Sequence, residues 1–216
     1  YMGQSGAVKT NPAKAVTAMK VERKYPEILT NREVELFLEQ PKCVDEKGFR
    51  DHAMLELLYA TGIRVSELIG LNVGDINLSA GFIRCRSKDK ERIVPLYPAA
   101  VKALEDYVKD IRPRIIADEN EQALFVNMNG ERMSRQGFWK IIKYYQEKAE
   151  INKDITPHTL RHSFATALLQ GGANLRAIQE MLGHENIATT QIYTHIDITT
   201  LRNEILNHHP RNMKNT

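Results

Sequence analysis

Apolar positions along this chain recur mostly at helical spacing. Thr30-Asn31-Arg32-Glu33 has the form of a capping box and precedes Val34, Leu36, Phe37 and Leu38, so a short helix is predicted there. Met54, Leu55, Leu57 and Leu58 make a wide apolar face over residues 51–60, which predicts a second helix. Thr61-Gly62 breaks it, and residues 64–71 restart as a short helix. Arg64 and Glu67 stand three positions apart, which predicts that they share a helical face. The period then changes. Residues 82–86 and 92–96 are β-like runs joined by Ser87-Lys88-Asp89-Lys90, the pattern of a hairpin. Helical spacing returns over residues 99–111, up to Pro113. Leu124-Phe125-Val126 is a short buried run before a turn cluster at 127–130, and Ser134 caps a helix to about residue 150.

Thr156-Pro157 reads as an N-cap followed by proline at the first helical position. That helix is predicted over 158–170, ending at Gly171-Gly172. Asn174 caps another to Leu182, Gly183-His184 turns the chain, and a short helix near Ala188 carries Tyr193. Ile198, Leu201 and Ile205 repeat at helical spacing. The sum is a mainly α fold with one small antiparallel β-sheet, of α+β class. Residues 1–25 show no sustained apolar period and read as a basic linker or arm. Residues 26–207 form the domain and 208–216 a tail.

The 216 residues, 42% of them hydrophobic, suit one large domain. No apolar run approaches the ~18 residues of a membrane span, and no signal-peptide pattern opens the chain. Cys43 and Cys85 supply neither a disulfide framework nor a paired-cysteine metal spacing, so both read as reduced thiols of a cytoplasmic protein. The net charge is only +3, but the cations are clustered. Lys9, Lys14, Lys20, Arg23 and Lys24 face Glu22 alone, and Arg84, Arg86, Lys88, Lys90 and Arg92 face Asp89 and Glu91. Such clusters can track a phosphate backbone; a solvated surface is the alternative for each.

Candidate chemistry narrows that choice. A phosphodiester resists attack because its non-bridging oxygens are anionic and its leaving alkoxide is poor. A site that cleaves it must neutralise charge, supply a nucleophile and protonate the leaving oxygen. Arg64 and Arg161 offer planar forks that match phosphate geometry and stay charged. His158 lies one helical turn before Arg161, at a helix start that itself favours an anion. Tyr193 is a nucleophile whose phenol needs a base or strong positive charge to attack, and a phosphotyrosyl ester would keep the bond energy for a second transfer. Lys88, in the hairpin turn, is a cation able to protonate the departing oxygen. The set demands neither metal nor cofactor.

Those residues, in that order, resemble the catalytic domain of the tyrosine recombinases, or phage integrase family, across about residues 26–207. The motifs are Thr61-Gly62-Ile63-Arg64-Val65-Ser66-Glu67-Leu68, Lys88 ahead of Arg92-Ile93-Val94-Pro95-Leu96, His158-Thr159-Leu160-Arg161-His162, Leu182-Gly183-His184, and Tyr193 nine residues on. Their wording is most similar to bacterial Xer-type recombinases and mobile-element integrases. The resemblance implies the fold of the DNA breaking-rejoining enzymes. It implies that Arg64, Lys88, His158, Arg161 and His184 activate a scissile phosphate, that Tyr193 attacks it, and that Glu67 supports the site from behind. It further implies double-stranded DNA as partner, a homo- or hetero-tetramer acting through a Holliday junction, and a bacterial, nucleoid-associated setting. Lys14, Lys20, Lys24, Arg86 and Lys90 are the expected backbone contacts. Family members usually carry an N-terminal core-binding domain; with only residues 1–25 ahead, the chain reads as a fragment or a minimal member. The C-terminal helix is expected to dock on a neighbouring protomer or, as the alternative, on its own domain.

Two other function classes compete. His158 and His162 have the i, i+4 spacing of zinc ligands, with His184 as a third, but Thr159 stands where a metalloprotease motif needs Glu. Residues 164–182, bent at Gly171-Gly172, have a helix-turn-helix outline suited to a non-catalytic DNA-binding module or an inactive recombinase relative. That reading leaves Arg64, His184 and Tyr193 together unexplained.

Overall fold

The capping box at Thr30 forms as its spelling predicts. The Thr30 hydroxyl accepts the Glu33 N–H at 3.2 Å, and the Glu33 carboxylate accepts the Thr30 N–H at 2.7 Å. It starts α1 (Asn31–Leu38). The computed structural model describes residues 28–87, 90–183 and 198–213. The arm of residues 1–25 and the short helix expected near Ala188 lie outside them.

The central element is α2 (Glu46–Thr61), which begins earlier than the apolar pattern indicates. Its first turn is polar, so only the cap marks it: the Asp45 carboxylate accepts the Gly48 N–H at 2.6 Å. Met54, Leu55, Leu57 and Leu58 are fully buried, and α2 is covered nearly all round, packing on α4 (Pro98–Asp106) and α7 (Pro157–Gln170). Gly62 ends it in the left-handed conformation, φ +59°. Then comes α3 (Val65–Gly70).

The sheet has three antiparallel strands in sequence order: β1 (Ile76–Asn77), β2 (Phe82–Ser87) and β3 (Lys90–Pro95). Ile83 pairs with Val94 and Cys85 with Arg92. Ile83, Cys85 and Val94 are buried, so this face looks inward, and Arg92 shares it. The mainly helical fold with a small antiparallel sheet is therefore as expected.

Pro113 does not end its helix. From α4 the chain passes through a π-helical turn at Tyr107–Ile111 into α5 (Arg112–Ile115), where Pro113 falls in the first turn. A missing N–H costs little at that position. Leu124, Phe125 and Val126 are fully buried as predicted, and Ser134 caps α6 (Arg135–Lys148). The Tyr145 hydroxyl donates to Asp51 at 3.0 Å, and Asp51 is paired with Arg50 at 2.6 Å, so a buried polar link ties α6 to α2.

Asn174 caps α8 (Leu175–Leu182). The C-terminal helices α9 (Ile198–His208) and α10 (Pro210–Met213) lie on the chain's own domain. Leu201 and Ile205 are buried, with α9 packed on β3, α7 and α8. His209 is fully buried among Tyr59, Tyr97 and Phe164, with ring centroids 5.2, 4.4 and 5.8 Å away. Arg211 and the Tyr97 hydroxyl both donate to Glu56 Oε1, at 2.9 and 2.5 Å. Among the described residues, no helix is long and apolar enough to cross a membrane.

Candidate phosphoryl-transfer site

Four elements meet behind Arg64. This residue is the N-cap of α3, with extended backbone at φ −72° and ψ 150°. It therefore lies outside the helix that was expected to present it and Glu67 on one face. The two are joined instead by the cap: the Glu67 carboxylate accepts the Arg64 backbone N–H at 2.7 Å. The Arg64 guanidinium lies 3.9 Å from Glu67 and keeps 45% of its side chain exposed. At the far end of α3, Arg132 donates to the carbonyls of Ile69 and Leu71 at 2.8 and 3.1 Å, a cationic cap on the helix C-terminus.

Arg161 comes from α7. Its N-terminus is built by Thr156, whose hydroxyl accepts the Thr159 N–H at 3.0 Å, with Pro157 following at the first helical position. Arg161 donates to the Gly62 carbonyl and, at 2.7 Å, to the Leu182 carbonyl. Arg64 donates to the next carbonyl, Gly183, at 3.3 Å. The two guanidiniums thus converge on the C-terminal turn of α8, where carbonyls carry the negative end of the helix dipole. Burial, and then the charge of Arg64, push the Arg161 guanidinium down to about 10.

Glu67 balances this positive cluster. Burial pushes its carboxyl up, but hydrogen bonds from Arg92 and from the Arg64 N–H, with the charges of both arginines, outweigh burial and leave it below its ordinary value. Arg92 was grouped in the sequence only with the basic surface cluster. It is instead a largely buried partner of Glu67, its side chain 13% exposed. The signal that could have found it is period two: Arg92 stands in register with Val94 and Leu96, a charge on an otherwise apolar strand face.

The remaining expected residues are placed unevenly. His158 is exposed, in the first turn of α7, and His162 is exposed one turn on. Arg86 is on the outer face of the sheet, paired with Asp75 at 3.0 Å and Glu91 at 3.7 Å. With Arg64, Glu67, Asp75 and Arg84 it lines a cleft of about 300 Å³ beside α3. Lys90 opens β3 opposite Ser87. Lys14, Lys20, Lys24, Lys88, His184 and Tyr193 lie outside the described residues. Among the described residues, no group of His, Cys, Asp or Glu could hold a metal ion.

Residues 27–199 match the model of the phage integrase family. The chain belongs to the phage integrase family. It is 52% identical over 202 residues to the tyrosine recombinase XerD of Staphylococcus epidermidis, an alignment covering 93% of this chain and 68% of that protein. XerD of Halalkalibacterium halodurans is 50% identical over 203 residues, covering 94% and 68%. Among solved structures, XerA recombinase superposes with a TM-score of 0.69 at 38% identity, over 86% of this chain and 66% of that one. XerH recombinase, in a pre-cleavage complex with its difH substrate, gives 0.66 at 30%, over 80% and 51%. This phage integrase family member is thus an Xer-type tyrosine recombinase, an enzyme of site-specific recombination.

Proposed function

We propose that this chain binds double-stranded DNA and carries out strand exchange through a 3′-phosphotyrosyl intermediate, with Arg64, Lys88, His158, Arg161, His184 and Tyr193 at the reacting phosphate. The Tyr193 oxygen attacks phosphorus, the P–O5′ bond breaks, and the 5′ oxygen leaves with a proton from Lys88. The freed 5′-hydroxyl of a partner strand then attacks the phosphotyrosyl ester and releases Tyr193. Both steps exchange one ester for another, so neither needs ATP or a metal. Arg64 and Arg161 take the non-bridging oxygens, while His158 and His184 hydrogen-bond the phosphate and the attacking phenol. Glu67 stays behind Arg64, since a carboxylate facing phosphate would repel it.

One observation carries this reading: Arg64 and Arg161, 97 positions apart in sequence, donate to the adjacent carbonyls Gly183 and Leu182. Two guanidiniums held this close raise each other's electrostatic energy, and an entering phosphate would relieve it. The positive cluster ends at Gly183, and His184 is the next residue in sequence.

In this reading residues 26–207 are the catalytic domain and Lys14, Lys20 and Lys24 belong to an arm that, with Arg86 and Lys90, tracks the DNA backbone. Four protomers, of one or two kinds, assemble on two duplexes in the bacterial nucleoid. The decisive experiment is a suicide duplex, nicked so that religation is blocked. Covalent protein–DNA adducts that vanish on Tyr193→Phe are expected. Ordinary DNA binding with no adduct would instead indicate a non-catalytic module.

A further inference from the structure

We propose that Arg92 is a positioning residue of the phosphoryl-transfer site, holding Glu67 away from the Arg64 fork and fixing the C-terminal turn of α8 against β3. The inference rests on the reading of Arg64 as a phosphate ligand.

Arg92 reaches three elements at once. Rooted in β3, it grips the Glu67 carboxylate with both prongs, Nη1 to Oε1 at 2.6 Å and Nη2 to Oε2 at 3.0 Å. Its Nε donates to the Met181 carbonyl at 2.9 Å. Met181, Leu182 and Gly183 thus each give their carbonyl to a different arginine: Arg92, Arg161 and Arg64. Arg92 is committed to a carboxylate through two hydrogen bonds. Its guanidinium lies so close to Gly183 that a Cβ there would be 2.9 Å from Cζ, and Gly183 has φ +64°. A glycine is therefore required where the arginine packs on the turn.

The consequence for Arg64 follows from counting acceptors. Glu67 Oε1 is taken by Arg92, and Oε2 is shared between Arg92 and the Arg64 backbone N–H. The Arg64 guanidinium is left 3.9 Å away and half exposed, beside the cleft. Without Arg92, Glu67 would be a buried carboxylate whose nearest cation among the described residues is Arg64. It would draw that fork inward or take up a proton. Among the described residues, the charged or titratable groups around Glu67 are Arg64 beside it, Arg92 and Cys85 from the sheet, and Arg161 from α7, with Asp75, Arg84 and Arg86 lining the same cleft.

The test uses the full chain and a nicked suicide duplex selected for adduct formation with the unaltered protein. Arg92→Met is expected to slow adduct formation about 10²-fold, as a misplacement of about 1 Å does, with DNA affinity changed less than threefold. Adding Glu67→Gln should recover a large part of that loss, because the competing charge is gone. The rate of Arg92→Met relative to the unaltered chain should also rise on acidification, as the orphaned Glu67 takes up a proton. A merely structural arginine would show neither the rescue nor the pH-dependent ratio, and their joint absence overturns the proposal. Should Arg92→Met fail to fold, Arg92→Lys keeps the charge but loses the fork; wild-type cleavage by that variant overturns it equally. An unaltered chain that forms no Tyr193-dependent adduct sinks the underlying reading first, before any Arg92 variant is compared, and takes this proposal with it.

Discussion

Arg161 donates to the carbonyl that immediately precedes the one held by Arg64, Leu182 beside Gly183, so one helix end gathers two guanidiniums. A phosphate entering there would be bound by groups already oriented, and preorganised cations are worth more than ones that must be recruited. Arg161→Ala should therefore slow adduct formation by about 10²–10³-fold. The loss of its bonds to the Gly62 and Leu182 carbonyls should itself cost about 1–3 kcal/mol of stability. Cleavage rate and urea midpoint, measured on one preparation, separate the two effects. A chain that no longer unfolds cooperatively would make Arg161 a structural residue.

Gly62 illustrates how local spelling and the site are joined. It was legible as a helix breaker after Thr61. Its φ of +59° and its packing show why alanine would fail: a Cβ would stand 2.4 Å from the Phe164 ring and 2.9 Å from Leu182. Its carbonyl also receives Arg161. Gly62→Ala should destabilise by at least about 2 kcal/mol, through strained backbone and overpacking together. A urea midpoint equal to that of the parent would contradict this.

Much of the fold was legible because short-range rules govern it. Thr30, Ser134, Thr156 and Asn174 all cap the helices that they were expected to cap. The strand pairing followed from two β-like runs around a polar link. What was missed depends on long-range packing. The polar first turn of α2 carries no apolar signal, and Pro113 is accommodated by a π-helical turn that spacing does not announce. Arg64 and Glu67 were expected near each other, but through a helical face and not a cap. Arg92 hid among exposed cations because its burial depends on Glu67 and Met181, 25 and 89 positions away.

His209 gives the protein an acid-sensitive plug. Its ring is enclosed by three aromatic side chains, and burial pushes it down to about 3. Unfolded, it would titrate near its ordinary ~6.5. The unfolded chain therefore binds more protons between those values, and stability from this group is complete above about 6.5 and lost as pH falls toward 3. The slope is at most about 1.4 kcal/mol per pH unit. Thermal midpoints measured from pH 7.5 down to 5 should fall more steeply for the parent than for His209→Phe. Parallel curves would show that His209 is not the group responsible.

The charge balance ahead of the domain offers a further test. Lys9, Lys14, Lys20, Arg23 and Lys24 oppose a single carboxylate, Glu22, within sixteen positions. A stretch so unbalanced repels itself unless it meets an anion, and a DNA backbone supplies closely spaced ones. Each lysine that neutralises a phosphate releases counterion and adds roughly 0.9 to the slope of log affinity against log salt. Replacing Lys14, Lys20 and Lys24 together with alanine should therefore flatten that slope by up to about 2.7 if all three touch phosphate. The loss of affinity should be nearly equal for specific and unrelated duplexes, because backbone contacts carry no sequence information. A slope that does not move would mean the arm stays off DNA, and the cations of the sheet, Arg86 and Lys90 first among them, would then have to supply the backbone contacts.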